Sequence, residues 1–308
     1  MKVNQADQFI PSAEKVQEIL TEYGLMLSQF EPAMSGIENC TLIIVAMTQK
    51  YVMRVYRRRR KPDTHIAKEL AFIKFLAAAG LKTVPAIPNQ HGRDVTKYGH
   101  WRAILMPFQT GTHPPRYTPE LISELAINQA TMHQLAQSFK RSTLWELPLT
   151  KLKESQFSHQ INPASITNPA IQQFLVRAQN FQVDLSWSLP RGYCHLDFDS
   201  GNILVNERNE LSAILDFDDL ATAPYVVCLA YTLWSISQQD DADLVRLYLN
   251  EYQSIRPLTN QELSILPAII LFRHYVIGSL KILNGSLDNK FFDRYVQREQ
   301  HLAQQCYT

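Results

Sequence analysis

The sequence predicts an α+β chain whose strands come first and whose helices come last. Three observations predict it. Between residues 25 and 108, short apolar stretches follow one another with one strong helical stretch among them. Beyond Thr118 the spacing of apolar residues is mostly helical, and one hairpin, over residues 203–215, interrupts that half. Strands that succeed one another without helices between them indicate an antiparallel sheet. A chain of 308 residues is long enough for two compact parts with cores of their own. The boundary is expected at a hinge over residues 106–111, giving parts 1–108 and 109–308.

The elements follow in order. Residues 12–23 carry an amphipathic helix (Val16, Ile19, Leu20) after Pro11, ended by Gly24. Residues 25–30, 41–47 and 51–56 read as strands. The turn at Ser35-Gly36 between the first two can aim backbone N–H groups at a phosphate, though an ordinary hairpin turn is the simpler account of it alone. Arg54 shares one face of the third strand with Val52 and Tyr56. A helix is expected from a cap at Asp63 or Thr64 to Ala79, closed by Gly80, with Ile66, Leu70, Ile73 and Leu76 inward. Glu69 borders that stripe, and a carboxylate there calls for a cationic partner. Two more strands, 84–88 and 100–108, flank the His91-Gly92 turn.

The second half opens with Thr118 and Pro119 as cap and first turn of a helix through Ala136. His133 on it is read as a packed core histidine rather than a ligand. Residues 140–167, rich in Ser and Pro, form a long connection suited to closing over a substrate. Asn168-Pro169 starts a helix to Phe181, and residues 192–198 form a strand. A buried helix is expected over 225–237 and another over 241–253. A third begins at Asn260 behind the capping box Thr259/Glu262, and a last one covers 289–304. Arg273 and His274 interrupt an apolar helix. They are read as surface residues or partners of a neighbouring acid, with a place facing the substrate as the alternative.

Composition excludes several classes. Hydrophobic content of 45% and charged content of 19% describe an ordinary globular chain. A formal net charge of +1 gives no general attraction to nucleic acid or anionic lipid. Arg57-Arg-Arg-Arg-Lys61 lacks interleaved aromatics and is read as a solvated loop. The four cysteines have no metal-ligand spacing, and no secretory signal opens the chain, so free thiols in the cytoplasm are expected. The apolar run 266–272 is too short to span a bilayer. No nucleic-acid or membrane partner is expected.

The informative stretch is Tyr193-Cys-His-Leu-Asp-Phe-Asp-Ser-Gly-Asn-Ile-Leu-Val205, followed by Ile214-Leu-Asp-Phe-Asp-Asp219. Residues 203–205 and 213–215 read as the strands of a hairpin, with turn residues 206–210 between them. A turn centred on Asn209 sets Asn202 opposite Asp216, at about 5 Å between Cβ atoms. An amide beside a carboxylate, with open positions left over, suits Mg²⁺ carrying substrate phosphates. Asp197, just ahead of the hairpin, is placed to take a proton from a nucleophilic hydroxyl.

The order His195-x-Asp197-x-x-x-x-Asn202, then Asp216-Phe-Asp-Asp, resembles the catalytic core of the aminoglycoside phosphotransferase and choline kinase family. It is also similar to type-II homoserine kinases and bacterial stress-response kinases. The resemblance implies a two-lobed protein-kinase-like fold and an ATP- and Mg²⁺-dependent transfer of phosphate to a hydroxyl of a small molecule. It implies that Asn202 and Asp216 hold the metal and that Asp197 is the base. Arg54, supported by Glu69, then holds the phosphates, and Gly36 and Asn39 belong to the phosphate turn. Met106, Pro107 and Gln109 face adenine, the Pro107 carbonyl accepting and the Gln109 N–H donating. Asp218 and Asp219 are candidates for a second metal or a cationic substrate, with surface acids equally open. Two departures stand out. Leu196 replaces a usual glycine, and Cys228 replaces an aspartate that accepts hydrogen bonds from the catalytic loop, so the loop is expected to be held less firmly.

Other readings compete. A stress-response protein Ser/Thr kinase shares the fold, and a nucleotide-binding pseudokinase would explain Cys228. A metal-dependent hydrolase or glycosyltransferase is disfavoured, because neither a binuclear ligand set nor a nucleotide-sugar domain shows in the remaining sequence.

Overall fold

The computed structural model describes residues 10–33, 39–56, 62–99, 101–139, 157–183, 189–285, 292, 295–299 and 302. The Ser35-Gly36 turn, the basic run 57–61, the connection over 140–156 and most of the expected helix 289–304 lie outside them. The chain divides into two compact units. One holds the described residues up to His113 together with Ile203–Asp218. The other holds those of 114–202 and from Asp219 onward.

In the first unit, Ser12 caps α1 (Ala13–Thr21). A five-stranded antiparallel sheet follows, of order β1-β2-β3-β5-β4. Its strands are β1 (Leu27–Pro32), β2 (Cys40–Ala46), β3 (Gln49–Tyr56), β4 (Thr96–Tyr98) and β5 (Trp101–Pro107). Alternation sorts the strand residues cleanly. Leu42, Ile44, Met53, Val55, Ala103 and Leu105 meet Val16, Ile19 and Leu20 of α1 in one core, which leaves Arg54 on the other face.

Helix α2 (Asp63–Ala78) has Pro62 as its N-cap, with no side-chain cap bond. Asp63 instead pairs with Lys97 and, at 2.7 Å, with Arg102. No strand forms over 84–88; Ile87 makes only an isolated bridge to Leu105.

The hairpin β7 (Ile203–Val205) and β8 (Leu211–Ile214) belongs to this unit. The Asn206 side chain builds its turn, accepting from the N–H groups of Arg208 and Glu210 at 2.9 and 3.0 Å, while Asn209 takes a φ of +59°. Ile203 pairs with Ile214 and Leu204 with Ala213, and the register shifts before Val205. That is one residue out from the expected frame, in which Ile203 would face Leu215. The ladder therefore does not set Asn202 opposite Asp216. Asn202 closes a single 3-10 turn, Ser200–Asn202, and Asp216 lies beyond β8.

The second unit is helical around one short antiparallel pair, β6 (Arg191–His195) with β9 (Leu220–Pro224). Its helices are α3 (Pro119–Ser138), α4 (Pro169–Asn180), α5 (Tyr225–Ser237), α6 (Ala242–Ile255) and α7 (Asn260–Leu283). Thr118 and Asn168 cap α3 and α4 by their side chains, and the capping box of Thr259 and Glu262 opens α7. Helix α7 runs well past the apolar stretch 266–272 and, by length and composition, is long and apolar enough to cross a membrane. Half of that apolar window is buried within the protein, where Tyr275 joins Phe174, Phe292 and Tyr295 in an aromatic core.

Candidate active site

The first unit supplies a cation enclosed by acids. Arg54 lies between Thr41 of β2 and Ile104 of β5 in the sheet. Its Nη1 is 3.2 Å from Asp216 Oδ1 and 3.2 Å from Asp218 Oδ1. Asp218 also accepts from Asn39 Nδ2 at 2.5 Å, and its N–H donates to Asp216 at 3.3 Å. Burial opposes the charge on Arg54, but Asp218 and Asp216, with Tyr56 and Glu69 behind them, outweigh it and raise its pKa. Burial, then the charge of Glu69, pushes the Tyr56 hydroxyl well up. Glu69, expected to pair with Arg54, is buried on α2 and acts on it through its charge. The ion-pair partners the structure gives Arg54 are the two aspartates after β8, which the sequence did not suggest.

The two aspartates differ. The Asp218 side chain is 12% exposed and enclosed by Arg54, whereas Asp216 is 41% exposed. Asp216 also holds a φ of +54°, a conformation that costs a non-glycine residue about 1–2 kcal/mol and that clusters at functional sites.

Residues 106–112 are tied to the hairpin. Pro107 ends β5 opposite Tyr51, and Met106 pairs with Val52. Beyond Gln109, the Thr110 carbonyl accepts from Ser212 Oγ, and Thr112 exchanges two backbone bonds with Val205. Gly111 has a φ of +141°, and a Cβ there would sit 2.7 Å from the Val205 carbonyl oxygen, so only glycine fits. Gly36 lies outside the described residues.

The second unit supplies the loop after β6. Asp197 is 40% exposed and fixed from two sides. Asn202 Nδ2 donates to its Oδ2 and to its backbone carbonyl, both at 2.8 Å, and Arg273 Nη2 lies 3.7 Å from Oδ1. Below it, buried His195 accepts the Asp197 N–H on Nδ1 at 3.3 Å and packs edge-on to Phe198. His195 thus supports the loop by packing and hydrogen bonding, as the sequence suggested. Gly201 N–H donates to Asp199 at 2.8 Å. Burial, then the charge of Asp197, raises the Asp199 pKa. Leu196 is half-buried in the loop, and Asp219 ends the short turn Phe217–Asp219.

Arg273 is the functional candidate whose place the sequence left open. Helix α7 carries its guanidinium over the rings of Tyr231, at 4.3 Å, and Trp234, at 5.8 Å. Its acid partner is Asp197. An arginine among apolar helical positions was the available signal, but helical periodicity gives no direction across to another element.

Cys228 takes a different part from the acceptor it replaces. Its thiol donates to the His195 carbonyl at 3.1 Å, while Gln129 Nε2 approaches the sulfur at 3.4 Å. The helix is thus tied to the loop through one carbonyl, with the direction of the bond reversed.

An antiparallel sheet with a buried arginine, an Asp-Phe-Asp turn and a loop of His195, Asp197 and Asn202 define a phosphotransferase of the protein-kinase-like fold. The family model described as the phosphotransferase enzyme family, APH, matches residues 29–261, and the chain belongs to that family. Membership makes the chain a phosphotransferase.

The homoserine kinase of Paramagnetospirillum magneticum is 23% identical over 268 residues, 84% of this chain and 82% of that one. Among solved structures, amicoumacin kinase hAmiN in complex with AMP-PNP, Ca²⁺ and Ami is similar at a TM-score of 0.70. It is 16% identical, and the match covers 96% of this chain and 94% of that one. The microcompartment-associated aminopropanol kinase matches with TM-score 0.70, 16% identity and coverage of 96% and 95%. These likenesses to solved structures establish the fold.

Proposed function

We propose that this chain transfers the γ-phosphate of ATP to the hydroxyl of a small acceptor that also carries an anionic group, of the hydroxy-amino-acid kind. The observation that carries the reading is the setting of Asp197. Its carboxylate stands partly open to solvent with one oxygen held by Asn202 and the other near Arg273. A carboxylate so oriented takes the proton of an acceptor hydroxyl as the phosphate bond forms.

Arg273 supplies the acceptor preference. Its Nε is buried with no hydrogen-bond partner, and stacking on Tyr231 holds its plane. A planar guanidinium fork matches a carboxylate. The homoserine kinases among the relatives support an acceptor of that kind.

The nucleotide end rests on the first unit. Arg54 would fix the phosphates, supported by Asp218 and Asn39, with Glu69 behind, and residues 106–109 would border adenine. In the first unit Asp216 offers a carboxylate oxygen of the kind Mg²⁺ takes. In the second, the described bonds of Asn202 use its Nδ2 and leave its amide oxygen as an acceptor. When bound, Mg²⁺ would neutralise charge on the transferred phosphate. Asp218, enclosed by Arg54, acts here as the arginine's counter-ion.

The test is an ATP-consumption assay across hydroxy amino acids, amino alcohols without a carboxylate, sugars and aminoglycosides. The reading expects the hydroxy amino acids to lead, and expects Arg273→Leu to raise their KM while leaving that of a neutral alcohol unchanged. Label transferred to protein would replace the reading with a protein kinase. ATP-dependent stabilisation without turnover on any acceptor would replace it with a pseudokinase.

A further inference from the structure

Behind the loop, three side chains from three elements converge: His133 of α3, Cys194 of β6 and Cys228 of α5. All three are buried, and their ligand atoms lie within 4.8 Å of one another. Their sequence spacing follows no metal motif, so only the fold brings them together. Both cysteines are free thiols.

The histidine is prepared in a way that packing alone does not require. Its Nδ1 lies 2.6 Å from the Tyr252 hydroxyl, while buried Nε2 closes no hydrogen bond of ordinary geometry and the Cys228 thiol is the cluster member that interacts with the ring. Buried polar atoms are paired as a rule, and a thiol is a weak partner for one. Two aromatic rings hold the imidazole in place. Tyr225 stacks on it at 4.7 Å between centroids, and Tyr252 meets it edge-on at 5.7 Å. One imidazole nitrogen tied to a second group and the other left open is the usual state of a metal-bound histidine.

We propose that His133, Cys194 and Cys228 form a three-ligand site for one soft d¹⁰ cation, with Zn²⁺ as the ion to test. Two thiolates and an imidazole select such ions over Mg²⁺ or Ca²⁺. With Zn–S near about 2.3 Å and Zn–N near about 2.0 Å, the ligand atoms need to stand roughly 3.5–4 Å apart. The present cluster closes to that by a movement of about one ångström.

Binding sends both thiol protons to solvent. Cys228 then gives up its bond to the His195 carbonyl, and Gln129 continues to donate to its sulfur. The cation would join α3, β6 and α5 one residue from His195, holding the base of the loop where the family's aspartate otherwise stands. The inference is independent of which acceptor the enzyme phosphorylates.

The experiment is expression of the full chain in medium supplemented with Zn²⁺, or with Co²⁺ as a spectroscopic substitute. The expected product carries about one metal ion per chain. The cobalt form shows a thiolate-to-metal charge-transfer band, and X-ray absorption of the zinc form reads two sulfur ligands and at least one nitrogen. Cys194→Ser and Cys228→Ser abolish both signals, while Cys40→Ser, in the other unit, keeps them. The loaded protein melts above the chelator-treated one. X-ray absorption on the unaltered chain decides the matter even where the serine variants fail to fold. Three results would overturn the proposal: no metal retained, metal held without sulfur ligands, or a Cys194–Cys228 disulfide in a metal-free product.

Discussion

Arg54 and Asp218 form an ion pair at 3.2 Å in which both side chains are mostly enclosed, 13% and 12% exposed. Such a pair costs desolvation to form and is strongly destabilising to break from one side. It explains why an arginine sits on the face of β3 away from the apolar core.

The first prediction concerns that pair. Arg54→Ala leaves two carboxylates without their counter-charge. It is expected to lower stability by about 3 kcal/mol and kcat/KM for ATP by about tenfold or more. Arg54→Lys should recover part of the stability and less of the activity, because an ammonium is a strongly hydrated point charge without the planar fork that matches phosphate oxygens. Urea unfolding and steady-state kinetics read the two effects separately.

A second prediction rests on Arg256 and Glu262, paired at 2.7 Å with side chains 6% and 0% exposed. Glu262 also closes the capping box of α7 by accepting from the Thr259 N–H at 3.0 Å. Glu262→Ala strands the guanidinium over Tyr225 and removes the cap. The expected loss in urea unfolding is about 3–5 kcal/mol, against about 1 kcal/mol for Thr259→Ala.

The third concerns acid. His274 is buried, with Trp234 Nε1 donating to its Nδ1 at 3.3 Å and its Nε2 3.0 Å from the Tyr295 carbonyl. The neutral Nε2–H tautomer satisfies both bonds. Burial holds its pKa down at about 3, against an ordinary 6.5. Between those values the unfolded chain binds a proton that the folded chain does not, so stability falls as pH drops from 6.5 toward 3. The contribution reaches about 1.4 kcal/mol per pH unit. Unfolding followed across that range should show the slope, and His274→Gln should flatten it.

Much of this was legible in the sequence where the signal is local. Thr118, Asn168 and Thr259 cap the helices they announce, because a cap is a bond within one turn, although the cap expected at Asp63 or Thr64 gave way to Pro62. The bonds from Asn202 to Asp197 were not legible there, since the sequence set Asn202 opposite Asp216. What sequence could not supply was register and direction. The turn closes Val205 against Leu211, centred on Arg208 rather than Asn209, and the bulge between Leu204 and Val205 recovers only half of that offset, which no composition signal marks. Strand β9, an Ala-rich run before Pro224, has neither alternation nor β-branched density to announce it. The Arg54 pairing with Asp218 joins residues far apart in the chain, as does the approach of Arg273 to Asp197. Cys228 was rightly marked as a weak acceptor, yet its role as a donor follows only from where the His195 carbonyl points.

The most direct measurement is phosphate transfer by Asp197→Asn under saturating ATP and acceptor, alongside its thermal shift with ATP. The account predicts that kcat falls by about 10²–10⁴-fold while the nucleotide still stabilises the fold. Transfer at the rate of the unaltered enzyme would contradict it.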